Sequence, residues 1–127
     1  DEPAPDGDKL GCFSTGPGIR SYGWNVVTEV LGTFALVAWI IESGKTPSQL
    51  GPLAVALVIV AIGLSLGGPT GYAINPARDL GPRIAYAVLP IKGKGAADWA
   101  YSWVPIVGPL AGGVLAGLIV PNLAGLF

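Results

Sequence analysis

No histidine occurs anywhere in the 127 residues, and Cys12 is the single cysteine. The first absence removes imidazole acid–base chemistry and the commonest metal ligand. The second rules out a disulfide within the chain. Serines at 14, 21, 43, 48, 65 and 102 are present, but no histidine can activate them, so the usual nucleophilic triad cannot be assembled. No enzymatic activity, metal or cofactor is expected. Charge is scarce too. Only 12% of residues are charged, against about 25% in a typical soluble domain. The net charge of -1 leaves no basic footprint for nucleic acid. There is also no methionine, so residues 1–127 are expected to be a piece of a longer chain. The acidic start, with Asp1, Glu2, Asp6 and Asp8 interrupted by Pro3 and Pro5, lacks the basic region and apolar core of a signal peptide. It reads as a solvent-exposed loop.

What the sequence does have is apolar length: 51% of residues are hydrophobic. Residues 1–21 are rich in Gly and Pro and have no sustained apolar period, which is loop chemistry. Trp24 to Ile41 is the first candidate membrane span, bracketed by Trp24 and Trp39 as interfacial aromatics. A short polar turn from Glu42 to Gly51, with Lys45, Pro47 and Ser48, leads into a second span, Pro52 to Leu66, which carries no charge. Gly67-Gly68-Pro69 is expected to stop that helix. Tyr101 to Val120 is the third span, entered through Trp99, Tyr101 and Trp103. Within it Gly108, Gly112 and Ala116 repeat every four residues, as do Gly113 and Gly117, a spacing that lets helix backbones approach closely. Neither small-residue face is expected to find a partner within three spans.

Between the second and third spans lies the polar stretch 67–83, Gly-Gly-Pro-Thr-Gly-Tyr-Ala-Ile-Asn-Pro-Ala-Arg-Asp-Leu-Gly-Pro-Arg. Irregular backbone persists at membrane depth only where protein or a water-filled cavity satisfies it, so this break should line something. Asn75 is a favoured N-cap, and Pro76 fits the first helical position because its missing N–H is an orphan there anyway. A helix from Pro76 to about Pro90, at about 1.5 Å per residue, crosses only about two-thirds of the hydrocarbon. It reads as a half-helix whose positive N-terminal end points to the membrane's middle.

Asn75-Pro76-Ala77-Arg78, following Thr70-Gly71-Tyr72-Ala73-Ile74, resembles the second Asn-Pro-Ala loop of the major intrinsic proteins. The continuation Asp79-Leu80-Gly81-Pro82-Arg83 resembles their aquaglyceroporin branch, since water-selective members carry a small polar residue where this chain has Asp79. Pro105-Ile106 matches that branch as well. Gly11-Cys12-Phe13-Ser14-Thr15 is similar to the family's long third loop, although Gly16 stands where a tyrosine follows in the family.

The resemblance implies an all-α transmembrane fold, three spans plus one re-entrant half-helix. That is one inverted repeat of a six-span channel, with residues 1–21 an extramembrane loop and 22–127 the repeat. By the same resemblance Gly63, Tyr72 and Arg78 form the constriction, Gly63 replacing the histidine of water channels and Tyr72 the usual phenylalanine. Asn75, Pro76 and Ala77 are the pore motif, and Glu29 matches a buried glutamate that holds the re-entrant segment so that its carbonyls face the pore. Plainer readings stand beside these. Glu29 at the membrane interface, a snorkelling Arg78, an interfacial Tyr72 and an ordinary Asn-Pro cap all fit the local sequence. Asp79 and Arg83, spaced i, i+4 with the acid first, support a helix and are expected to be structural.

The function expected is passive diffusion of glycerol and similar small neutral solutes, with water, across the plasma membrane. Urea, dihydroxyacetone, hydrogen peroxide or undissociated lactic acid would fit the same slot. The rival is a coupled secondary transporter, which also uses broken helices at the midplane but would need coupling groups beyond Glu29 and Arg78. The expected partners are an N-terminal half bearing a second Asn-Pro-Ala motif, the lipid bilayer, and further copies in a homotetramer. Lys9, Arg20, Lys92 and Lys94 fall on the side opposite Lys45. The positive-inside rule assigns those four to the cytoplasm, whereas the resemblance puts them outside, and the latter orientation is adopted.

Overall fold

A computed structural model describes residues 6–45 and 50–123. Pro47 and Ser48 of the expected turn, and the acidic start through Pro5, lie outside the described residues. The chain forms α1 (Asp6–Gly11), α2 (Tyr22–Ser43), α3 (Pro52–Thr70), α4 (Pro76–Val88) and α5 (Val104–Leu123), with no strand among the described residues. α2, α3 and α5 are long and apolar enough to cross a membrane. α4 has 13 residues, about 20 Å at 1.5 Å per residue. That is too short to cross a hydrocarbon layer of about 30 Å.

The distribution of side chains is inverted relative to a soluble protein. Arg83, Glu29, Asp79 and Thr70 are among the largest fully buried side chains, while Leu53, Leu57, Leu64, Leu110, Val114 and Leu118 are exposed. A helix that is apolar all round must be covered by lipid or by more protein. α3 and α5 are of this kind.

Three boundaries differ from the sequence reading. α3 does not stop at Gly67 but runs to Thr70 with Pro69 inside it. A proline removes one donor, but here it falls in the last turn, which Gly71 closes in left-handed conformation (φ 75) by donating to Gly67 O. The third span starts at Val104, because Asp98 to Trp103 form turns in which Tyr101 N–H donates to Asp98 O (3.1 Å). The first loop contains the short helix α1, which glycine and proline content had concealed.

A fourth difference concerns packing. The Gly108, Gly112 and Ala116 face is buried, and it has a partner in this chain, α2. A Cβ on Gly108 would lie 2.5 Å from Glu29 Cβ, and one on Gly112 would strike the Val30 carbonyl. The two helices therefore cross with backbone against side chain, a close approach only small residues allow. Gly113 and Gly117 meet nothing within 4 Å. Gly112→Ala is accordingly expected to destabilise the protein by about 1–3 kcal/mol, the usual range for overpacking. Thermal unfolding of the complete protein in detergent checks this, and an unchanged midpoint would contradict the α2–α5 approach.

Candidate functional site

The re-entrant segment is built from its two ends inward. At the α3 end, the Gly71 cap turns the chain back. At the other end Asn75 caps α4, its Oδ1 accepting from Ala77 N–H (2.9 Å) and Arg78 N–H (3.4 Å). Between them Tyr72 (φ 43) and Ile74 (φ 44) adopt left-handed backbone without being glycine. Such residues cost of order 1–3 kcal/mol each and persist only where the surroundings enforce them.

Glu29 does the enforcing. It is 1% exposed on α2, and each carboxylate oxygen takes one backbone donor, Ala73 N–H to Oε1 (2.9 Å) and Ile74 N–H to Oε2 (2.7 Å). A buried carboxylate is tolerable only when hydrogen-bonded, and these donors have no helical partner of their own. With the N–H groups turned toward α2, the Tyr72 and Ala73 carbonyls accept no hydrogen bond from the described residues. Ala73 is fully buried and Tyr72 half-buried.

The cap has a matching consequence for Asn75. Its oxygen is occupied by the helix, so the exposed side chain has only its amide N–H groups left to offer. Asn75 thus presents donors at the positive end of the half-helix.

Tyr72, Gly63 and Arg78 come together. A Cβ on Gly63 would lie 3.1 Å from Tyr72 Cζ and 3.3 Å from Cε1 and Cε2. One on Gly67 would lie 3.1 Å from Cδ1. The ring therefore lies flat on α3 across two glycines, the second of which the sequence reading marked only as part of a helix stop. Over this ring sits the Arg78 guanidinium, 5.4 Å from its centroid. Among the described residues Arg78 donates to no carbonyl or carboxylate through its side chain, and it is exposed. Its fork of donors is open on one side of an aromatic wall.

Tyr72, Arg78 and Asn75 line a cavity of about 170 Å³ with Ala73, Ile74, Leu36 and Ile59. Leu36 and Ile59 escaped the sequence reading because an apolar residue in an apolar span carries no signal of which way it faces. Gly63 is not on this cavity's wall; it supports the ring from behind. Pro76 and Ala77 open α4 beside it, Pro76 at the first helical position.

Asp79 and Arg83 sit elsewhere, fully buried. Arg83 Nε donates to Asp79 Oδ1 (2.8 Å) and Nη2 to Oδ2 (2.9 Å). Nη1 reaches Ala97 O (2.7 Å) and Asp98 O (3.1 Å), and Nη2 also reaches Thr15 O (2.8 Å). These bonds use all the donors a guanidinium has, so Arg83 has none to spare for a solute. The two arginines of this stretch are therefore chemically distinct, one saturated and one open. Asp79 Oδ2 additionally accepts from Thr15 N–H (2.8 Å) and Thr15 Oγ1 (2.7 Å). At the far end of α4, Lys94 Nζ donates to the carbonyls of Tyr86 (3.0 Å), Ala87 (2.7 Å) and Leu89 (2.6 Å), a cationic cap on the negative end. Nothing in the local sequence marked Thr15 or Lys94 for these roles.

Among the described residues no cluster of histidine, cysteine or acidic side chains could hold a metal ion. What the site can do chemically is offer amide and guanidinium donors beside apolar walls. That suits a neutral molecule with hydroxyls on a carbon chain.

Comparison with known proteins gives a consistent picture. A family profile described as major intrinsic protein matches residues 6–120. Glycerol uptake facilitator protein 3 of Lactiplantibacillus plantarum is 63% identical over 112 residues, 87% of this chain and 47% of that protein. A probable glycerol uptake facilitator protein of Thermotoga maritima is 57% identical over 109 residues, 84% of this chain and 47% of that protein. The glycerol uptake facilitator protein of Bacillus subtilis is 58% identical over 120 residues, covering 93% and 43%. The chain thus spans about half the length of the curated relatives it matches.

Proposed function

The chain belongs to the major intrinsic protein family, and on that footing we propose that it forms the C-terminal half of a channel for glycerol and similar small neutral solutes, with water. The observation that carries the proposal is the open Arg78 fork over the Tyr72 ring, with ring and backbone held from behind by Gly63 and Glu29. A polyol in this slot lays its carbons on the ring, and its hydroxyl oxygens accept from Arg78 and Asn75. The names of the similar proteins, glycerol uptake facilitators, support glycerol as the solute.

In this reading an N-terminal half supplies a second Asn-Pro-Ala motif that packs against Pro76. The two half-helices then meet with their positive ends together, which disfavours cations and protons. The exposed apolar faces of α3 and α5 are covered by that half, by lipid and by further copies in a homotetramer of the plasma membrane. Asn75, Pro76 and Ala77 form the pore motif, Tyr72, Gly63 and Arg78 the filter, and Glu29, Asp79 and Arg83 its support. A coupled transporter is the less supported reading, because Glu29, one of its two candidate coupling groups, is consumed by structural bonds, which leaves Arg78 without it.

The test is swelling of liposomes holding the complete protein in isotonic glycerol without any ion gradient, where a channel conducts and a coupled transporter does not. Arg78→Ala extends it. Removing the open donors and the positive charge should raise proton or cation leak, read with a pH-sensitive dye, while glycerol still passes. Unchanged leak with unchanged glycerol flux would take Arg78 out of the filter.

A further inference from the structure

Thr15 lies in the loop between α1 and α2, 64 positions before Asp79 in the sequence, and is 6% exposed. It grips the re-entrant hairpin at two places. Its N–H and Oγ1 both donate to Asp79 Oδ2, and its carbonyl accepts from Arg83. Its side chain also rests on Gly71, where an added Cβ would lie 3.2 Å from Thr15 Cβ and 3.3 Å from Cγ2. Gly71 immediately precedes Tyr72, and Asp79 immediately follows Arg78. One residue thus touches the neighbour of each wall of the slot, Gly71 at its backbone and Asp79 at its carboxylate. The same loop and the start of α2 are seated on that turn, with Gly18 N–H of the loop and Asn25 Nδ2 of α2 both donating to Pro69 O (3.3 Å).

Arg78 needs such a hold. Its guanidinium lies over the Tyr72 ring and makes no side-chain hydrogen bond among the described residues, so its position is set by the backbone beneath it rather than by hydrogen bonds of its own. That backbone is fixed through Asp79, whose Oδ2 takes donors from Thr15 as well as from Arg83. We propose that Thr15 is a positioning residue for solute selectivity: its hydroxyl, through Asp79, sets the separation of Arg78 from Tyr72. The inference rests on the reading of that slot as the glycerol filter. A larger solute feels a shift of one wall before water does, so the expected signature is in the ratio of permeabilities and not in their common scale.

The experiment uses the complete channel in liposomes, with glycerol and water permeability measured on the same preparations. Thr15→Val keeps the side-chain shape and the contact with Gly71 but removes the hydroxyl. Its glycerol-to-water ratio should fall by about tenfold, the lower end of the range expected for one lost hydrogen bond to a charged group. Thr15→Ser keeps the hydroxyl and should keep the wild-type ratio. In an Arg78→Ala background, Thr15→Val should change the ratio no further, because the wall it positions is gone. Equal losses of water and glycerol in Thr15→Val would overturn the proposal, as would an undiminished effect in the Arg78→Ala background. If the valine protein fails to assemble, the serine protein decides: a wild-type ratio supports the hydroxyl's role, and a fallen ratio refutes it. Failure of the glycerol reading itself would look different, since the wild-type protein would then pass no glycerol without an ion gradient.

Discussion

Gly63→His in the complete channel should cut glycerol flux far more than water flux. Tyr72 lies so close to α3 that even a Cβ at position 63 would come within 3.1 Å of the ring. An imidazole has no room behind it, so the ring must swing into the slot or the imidazole itself must enter. Either way the passage narrows and gains a polar edge opposite Arg78. Overpacking of this kind typically costs about 1–3 kcal/mol, which corresponds to a loss of roughly five- to 150-fold when a solute must force its way past. Water, being smaller than a three-carbon polyol, escapes most of that penalty. Paired stopped-flow measurements of glycerol and water permeability decide the matter. Equal losses would mean that Gly63 does not support a size-selective wall, and the proposed filter would be misplaced.

Glu29→Ala is expected to abolish conduction of both solutes, for a reason unrelated to solute chemistry. It leaves the Ala73 and Ile74 N–H groups buried without acceptors, at about 1–3 kcal/mol for each stranded donor. Those same donors hold Tyr72 and Ile74 in left-handed backbone, so the strain that Glu29 now restrains is free to relax by collapsing the segment. Glu29→Gln should be milder. The amide keeps one oxygen for one backbone N–H, but its NH₂ group faces the other donor. The expected order of permeability is therefore wild type, then Gln, then Ala, with the same order in thermal midpoint. A glutamine protein as impaired as the alanine protein would show that charge, not acceptor count, is what the segment requires.

Much of this arrangement could be read along the chain, because its causes are local. Asn75 before Pro76 marks the start of a helix wherever it occurs, since an N-cap acceptor and a proline at the first position depend on neighbouring residues only. The three apolar runs announced spans by length and composition. The pattern around Asn75-Pro76-Ala77-Arg78 drew attention to the residues that turn out to share a cavity. Even where local signals misled, the error was short-ranged. Gly67-Gly68-Pro69 reads as a stop after Leu66, and the helix runs four residues further, to Thr70, where Gly71 supplies the closing bond.

Partnership was not legible in the same way. Glu29 reaches across 44 and 45 positions to its two donors, and Thr15 across 64 to Asp79. Such distances carry no periodicity or propensity, so a glutamate in an apolar run looks the same whether it faces lipid, water or a backbone. Arg78 and Arg83 are likewise two arginines five positions apart on one short helix. Composition, caps and apolar length set the spans, the half-helix and the place of the break, since each depends only on what the neighbouring residues allow the backbone to do. The packing of α5 on α2 and of the 12–20 loop on the hairpin decided the rest. Only a crossing of distant segments can supply acceptors to one set of buried donors and leave another set open, and that is what makes Arg83 a strut and leaves the Arg78 donors open.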